Sequence, residues 1–175
     1  GSDKVKINNN YIGVNTSLDG DLGNLQGIYL LGVNGVEVSG NTISGNDDSG
    51  TLVDGGASHK IHDNQIGTAP ANGNPAIPNQ TGITIYSSSN NQIYPNKISN
   101  NTTFGVLLGN SIPSFANGRR PRPAAPPRAL TTTVEGNEVY LNDIQNNQIG
   151  IALSESAKNN FIGRVPLNLE FQGNR

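Results

Sequence analysis

Cysteine, methionine and tryptophan are missing from this chain of 175 residues, and only 14% of its residues are charged. Without cysteine there is no disulfide framework and no thiolate metal site. No apolar run approaches the roughly 18 residues of a membrane span, so membrane insertion is not expected. The net charge of −2 supplies no global field for nucleic acid or an anionic membrane, and no nucleic-acid partner is expected. Few stretches carry the Ala/Leu/Glu/Lys mixture that helices favour. The opening "GSDK" has no signal-peptide character, and Gly1-Ser2 reads as the scar of a cleaved tag.

Glycine (22 residues) and asparagine are plentiful instead, and they separate short runs of Val, Ile, Leu, Thr and Tyr. Such punctuation predicts many short strands joined by turns. One line is written twice. Between Asn91–Asn101 and Asn137–Asn147, Ile93 answers to Val139, Tyr94 to Tyr140, Asn96 to Asn142 and Ile98 to Ile144. The same unit recurs elsewhere, running from a strand-opening glycine to an asparagine. Gly27 to Asn41, Gly50 to Asn64 and Gly82 to Asn96 each span a separation of 14 residues. Gly105 to Asn142 spans 37, which is 14 plus an insertion of 23, and Gly150 opens a fifth unit. The connections from asparagine to the next glycine vary, at 17, 9, 18, 9 and 8 residues. Constant strands with variable connections are the signature of stacked solenoid coils, because loops change length only where they project outward.

Side-chain alternation assigns the faces. Ile28/Leu30, Thr51/Val53, Ile83/Ile85, Val106/Leu108 and Ile151/Leu153 point inward, as do Ile7, Val38, Ile61, Ile93, Val139 and Ile162 on the second strand and Ile12, Ile43, Ile66, Ile98 and Ile144 on the third. One unit buries too little to offset the entropy of ordering it, so stacking must supply the difference. Asn10, Asn41, Asn64, Asn96 and Asn142 form one predicted column, and Asn91, Asn137 and Asn159, with His59 in register, form another. Asparagine tolerates the left-handed backbone of a sharp corner, and its amide can bond the amide one rung away.

With short connections "NTISGND" (Asn41–Asp47) and "NKISNNT" (Asn96–Thr102) alternating with longer ones at Asn10–Asn24 and Asn64–Asn74, the sequence resembles the right-handed parallel β-helix repeat proteins of pectin-lyase-like architecture, most closely bacterial secreted or cell-surface members. The likeness covers the chain except 110–132. It implies an all-β, single-stranded right-handed parallel β-helix of about six coils with one long Pro/Arg-rich loop insertion. Such a domain, spanning 1–175, is expected to be an excerpt of a larger extracellular or cell-surface protein. The family holds polysaccharide lyases, hydrolases, epimerases, adhesins and inert stalks, so activity must be argued from a site.

An acid–base enzyme needs carboxylates converging on an exposed face. Asp54, Asp63, Glu138 and Asp143 form no such set. The family's catalytic patterns, an Asp-Pro-His run, a Gly-His-Gly or a spaced arginine motif, are missing. Lys6, Glu37, Lys60, Gln92 and Glu138 share an outward column whose alternating signs predict cross-strand pairing. In "HKIH", His59 and His62 are three apart on a strand and face opposite sides, so they should not share a zinc ion. Asp19, Asp21, Asp47 and Asp48 lie in loops and read as solvated turn acids rather than calcium ligands. No metal and no cofactor is expected.

The candidate site is a second outward column, where His62, Tyr94 and Tyr140 follow Ser39 on consecutive rungs roughly 4.8 Å apart. Two readings stand side by side: a strip on which sugar rings stack, and a side-chain ladder that stiffens the sheet. The insertion 110–132 contains five prolines, which disfavour a ladder strand. Its Arg119, Arg120, Arg122 and Arg128 leave the rest of the chain at −6, since −2 less four positive charges is −6. This loop could hold an acidic glycan, or offer a protein partner a Src-homology-3 ligand spacing. The expected function is a non-catalytic surface module binding a polysaccharide or another glycan, or acting in adhesion; the alternatives are a polysaccharide lyase or glycoside hydrolase acting on an acidic polysaccharide, and a structural stalk without ligand.

Overall fold

The computed structural model describes residues 5–18, 20–67, 76–109 and 133–163. Regular structure among them is all strand. Three parallel sheets run the length of a right-handed β-helix. The first sheet stacks Lys6–Asn8, Glu37–Ser39, Lys60–His62, Gln92–Ile93, Glu138–Val139 and Phe161–Ile162 in chain order. Next come Tyr11–Ile12, Thr42–Ile43, Gln65–Ile66, Lys97–Ser99 and Asp143–Gln145 in the second. The third holds Ile28–Leu31, Ser49–Asp54, Thr81–Tyr86, Phe104–Leu108 and Ile149–Leu153. The unbroken chain order in each sheet means that every strand pairs with its equivalent one lap away.

Inside, the expected aliphatics meet. Val38, Ile43, Val53, Ile61, Ile66, Ile83, Ile85, Ile93, Ile98, Val106 and Leu108 are fully shielded from solvent. In the last described coil the same positions are open to solvent: Leu153 is 56% and Ile162 40% exposed. The glycine column has a steric cause. A Cβ on Gly27, Gly50, Gly82 or Gly105 would fall 2.5–2.8 Å from the carbonyl oxygen of the next glycine in the column, closer than carbon and oxygen can pack. Only a residue without a side chain lets the coils approach there.

Alternation misjudges one surface. Leu52, Thr84 and Leu107 project from the outer face of the third sheet and are nonetheless buried, as is Phe104. The central strands of this sheet are thus shielded on both faces, the usual condition of parallel sheets.

The asparagine columns form as hydrogen-bonded ladders. In the first, the Nδ2 groups of Asn10, Asn41, Asn64 and Asn96 each donate to the Oδ1 of the next member, at 3.0, 3.0, 2.9 and 3.0 Å, ending on Asn142. The backbone N–H of each donor residue reaches the same oxygen. In the second, His59 N–H donates to Asn91, Asn91 to Asn137, and Asn137 to Asn160. Asn160 therefore replaces the expected Asn159, because the register pairs Val139 with Ile162 and Glu138 with Phe161. Asn159 is instead the left-handed residue before the corner, with φ 51°. The same holds more widely: Asn9, Gly40, Asp63, Asn90, Gly136 and Leu141 adopt positive φ, each one residue before a ladder asparagine. The bend and the amide are thus assigned to neighbouring residues.

A third ladder escapes the sequence reading. Asn24, Asn46, Asn79 and Asn101 pass the bond along to Asn147 at the remaining corner, at 3.1, 2.8, 3.0 and 2.9 Å. Its signal is an asparagine three or four residues before each strand-opening glycine, visible only when counting backward from that glycine.

Candidate functional site

The outer face of the first sheet carries two side-chain columns, because each strand turns one residue in and the two flanking it out. In one column Lys6 pairs with Glu37, Glu37 with Lys60, Lys60 with Gln92 and Gln92 with Glu138. Lys6 Nζ lies 3.2 Å from Glu37 Oε2, and Gln92 Nε2 donates to Glu138 Oε2 at 3.0 Å. The hydrogen bond from Lys6 is the main cause holding the Glu37 carboxyl below its ordinary pKa. Cross-strand pairing, as expected, accounts for this column.

The other column is Asn8, Ser39, His62, Tyr94 and Tyr140. Backbone bonds from Tyr94 N–H to Ile61 O (2.9 Å) and from Tyr140 N–H to Ile93 O (3.1 Å) hold these residues in step with the strands. The three rings form one stack. His62 and Tyr94 have centroids 5.5 Å apart at 20°, and Tyr94 and Tyr140 are 4.8 Å apart at 5°. His62, Tyr94 and Tyr140 share one wall, as their spacing predicts, and their rings face one another. Parallel rings at the rung spacing lie face against face, so the strip turns its edges, not its faces, toward solvent. Tyr140 is only 8% exposed, while His62 and Tyr94 are half-buried. Burial, then the neighbouring Tyr94 and Glu138, raises the pKa of the Tyr140 hydroxyl, which keeps it a hydrogen-bond donor.

His62 is fixed at its polar end. Its Nδ1 lies 2.7 Å from Asp63 Oδ2, and its Nε2 lies 3.6 Å from Glu37 Oε1. His59 points the other way, into the second ladder, fully buried. Its Nδ1 accepts the Val36 N–H at 3.2 Å, and burial lowers its pKa. The two imidazoles are therefore divided between wall and ladder, as their spacing predicts. Among the described residues no cluster of three or more His, Asp or Glu side chains is placed to hold a metal ion.

The remaining carboxylates are dispersed. Asp54 accepts a hydrogen bond from Tyr29 Oη at 3.0 Å on the third sheet, remote in the coil from Asp63 and Asp143 at the first corner. Asp21 accepts the Gly23 N–H, and Asp48 accepts from Gln26, as turn acids do. Asp19, the insertion 110–132 and its Arg119, Arg120, Arg122 and Arg128 lie outside the described residues.

No curated protein matches the chain. Among solved structures it is similar to the crystal structure of a point mutant of the periplasmic alginate epimerase AlgG, with a TM-score of 0.52 and 24% identity over 77% of this chain and 25% of that one. A double mutant of the same epimerase is similar at a TM-score of 0.46 and 16% identity, over 90% of this chain and 35% of that one. This chain thus spans a quarter to a third of the epimerase, and the likeness concerns fold alone. Residues 5–173 match a family model over nearly the whole sequence. The chain belongs to the family described as periplasmic copper-binding protein (NosD).

Proposed function

We propose that this chain is a non-catalytic β-helix module, exported to the bacterial periplasm or cell surface, that binds a polysaccharide along the outer wall of its first sheet. The family's description as periplasmic supports the location. The observation that carries the binding reading is the His62–Tyr94–Tyr140 stack running beside Lys60, Gln92 and Glu138. Together they place one ring and one polar side chain on each of three consecutive rungs, a periodic strip suited to a chain of repeating sugars. Contact is made at the ring edges and the polar column, by hydrogen bonds and C–H packing.

Charge narrows the ligand class. Lys6 and Lys60 share a column with Glu37 and Glu138, and Asp63 stands beside His62, so among the described residues the wall has no surplus of positive charge. A polyuronate would bring one negative charge per sugar to a wall whose described lysines already face carboxylates. The reading is therefore an uncharged glycan. In affinity electrophoresis, migration should be retarded by an uncharged glucan or mannan more than by alginate or polygalacturonate. The His62→Ala/Tyr94→Ala/Tyr140→Ala variant should lose at least tenfold in affinity, and undiminished retardation of that variant would exclude the strip as the binding surface.

A second reading, a ladder that stiffens the wall, is favoured by the mutual covering of the ring faces. Each stacked aromatic pair contributes about 0.5–1.5 kcal/mol beyond its buried area. The triple variant should accordingly melt several degrees lower. Loss of melting temperature without loss of binding would leave only this structural role.

Copper has no place in the proposed function, because the residues present do not fit it. The whole sequence contains no cysteine or methionine sulfur, and its two imidazoles point apart.

A further inference from the structure

We infer that this chain does not take up copper, and that the copper of the family's description depends on donors these coils lack. Soft sulfur ligands select copper(I), and imidazoles serve either oxidation state when several converge. The sequence excludes the first route for every residue, described or not. For the second it offers only His59 and His62.

His59 is sealed in the second ladder. Its Nδ1 accepts the Val36 N–H, and its Nε2 is buried. Reaching either nitrogen requires separating adjacent coils, and a metal at Nδ1 would displace a ladder bond. His62 is the stronger candidate. Asp63 behind its Nδ1 resembles the carboxylate that orients many metal-binding imidazoles and leaves Nε2 free to ligate. Among the described residues, however, the carboxylate paired with Nε2 is Glu37 at 3.6 Å, Glu37 is held by Lys6 at 3.2 Å, and no third His, Asp or Glu completes a metal-binding group. The neighbouring groups in the column are Tyr94, whose ring is stacked on His62, and the backbone-held Ser39. One imidazole and one ammonium-paired carboxylate make at most half of a tetragonal copper(II) set, and a single imidazole without sulfur or a second imidazole does not complete a copper(I) set.

The test uses the intact chain and copper itself. Copper(I) is offered as its bicinchoninate complex, and copper(II) is added under paramagnetic resonance, to wild type and to His62→Ala. The expected result is that wild type leaves the bicinchoninate absorbance unchanged. Any copper(II) signal should be the same in both proteins and lack imidazole-nitrogen hyperfine structure. Withdrawal of one equivalent of copper(I) would overturn the inference. So would a copper(II) signal with imidazole hyperfine splitting that disappears in His62→Ala. Neither outcome depends on glycan binding, which stands or falls separately.

Discussion

Replacing Asn64 by alanine should cost roughly 4 kcal/mol and lower the melting temperature by about 10 °C. The side chain is buried and sits at the middle of the first ladder. Its Oδ1 accepts both the backbone N–H and the Nδ2 of Asn41, at 3.0 Å each. Nδ2 donates to Val38 O, His62 O and Asn96 Oδ1 at 2.9, 2.8 and 2.9 Å. Truncation leaves a buried N–H without its acceptor and removes a donor from several buried oxygens, each carrying a desolvation penalty of about 1–3 kcal/mol. Asn10→Ala, at the exposed end of the same ladder, should cost about 1 kcal/mol, since water can replace what is lost. Asn64→Asp separates shape from hydrogen bonding. It keeps the acceptor but turns a second carboxylate oxygen toward three oxygens, so at neutral pH it should be worse than alanine. Urea denaturation of the three variants measures all of this.

The second large effect concerns His59, where the ladder substitutes an imidazole for an amide. Burial lowers its pKa from the ordinary 6.5, an effect partly opposed by the Val33 backbone. The unfolded chain takes up the proton first as pH falls, so stability is complete above 6.5 and is lost as pH drops from there toward the folded value. The limiting slope for one proton is about 1.4 kcal/mol per pH unit. Protonation would also convert Nδ1 from acceptor to donor against the Val36 N–H that it now accepts. His59→Asn should remove this acid-sensitive component and let the ladder run unbroken from Val36 to Asn160. Unfolding free energies at pH 7.5 and 5.5 would show it: the wild type should lose stability over that interval, and the variant should lose clearly less.

How far the sequence discloses this molecule depends on what each feature requires. Inward positions are legible because a coil core accepts only aliphatics there, so Ile43, Ile66 and Ile98 recur in place. Two ladders are legible because their corners follow strands of constant length. The third is obscured by connections of variable length, which move Asn46 and Asn79 relative to a forward count. Asn159 and Asn160 stand together at one corner, and only the register decides that the Asn160 amide enters the ladder. Burial of Leu52 and Leu107 cannot be read from alternation, which gives the direction of a side chain and not what lies above it. His62, Tyr94 and Tyr140 could be assigned to one wall from their spacing alone. That their rings cover one another's faces follows from side-chain torsions, which sequence does not specify, and it changes what the wall can offer a sugar.

The most direct measurement is a double-mutant cycle between Asn91 and Asn137, which are 46 residues apart in sequence but joined by a 2.8 Å bond from Nδ2 to Oδ1. If successive laps of the chain lie one upon the other, the two alanine substitutions should be coupled by about 1–3 kcal/mol in urea denaturation. Stability losses that simply add, to within about 0.5 kcal/mol, would contradict the stacking on which both the ladders and the proposed binding wall rest.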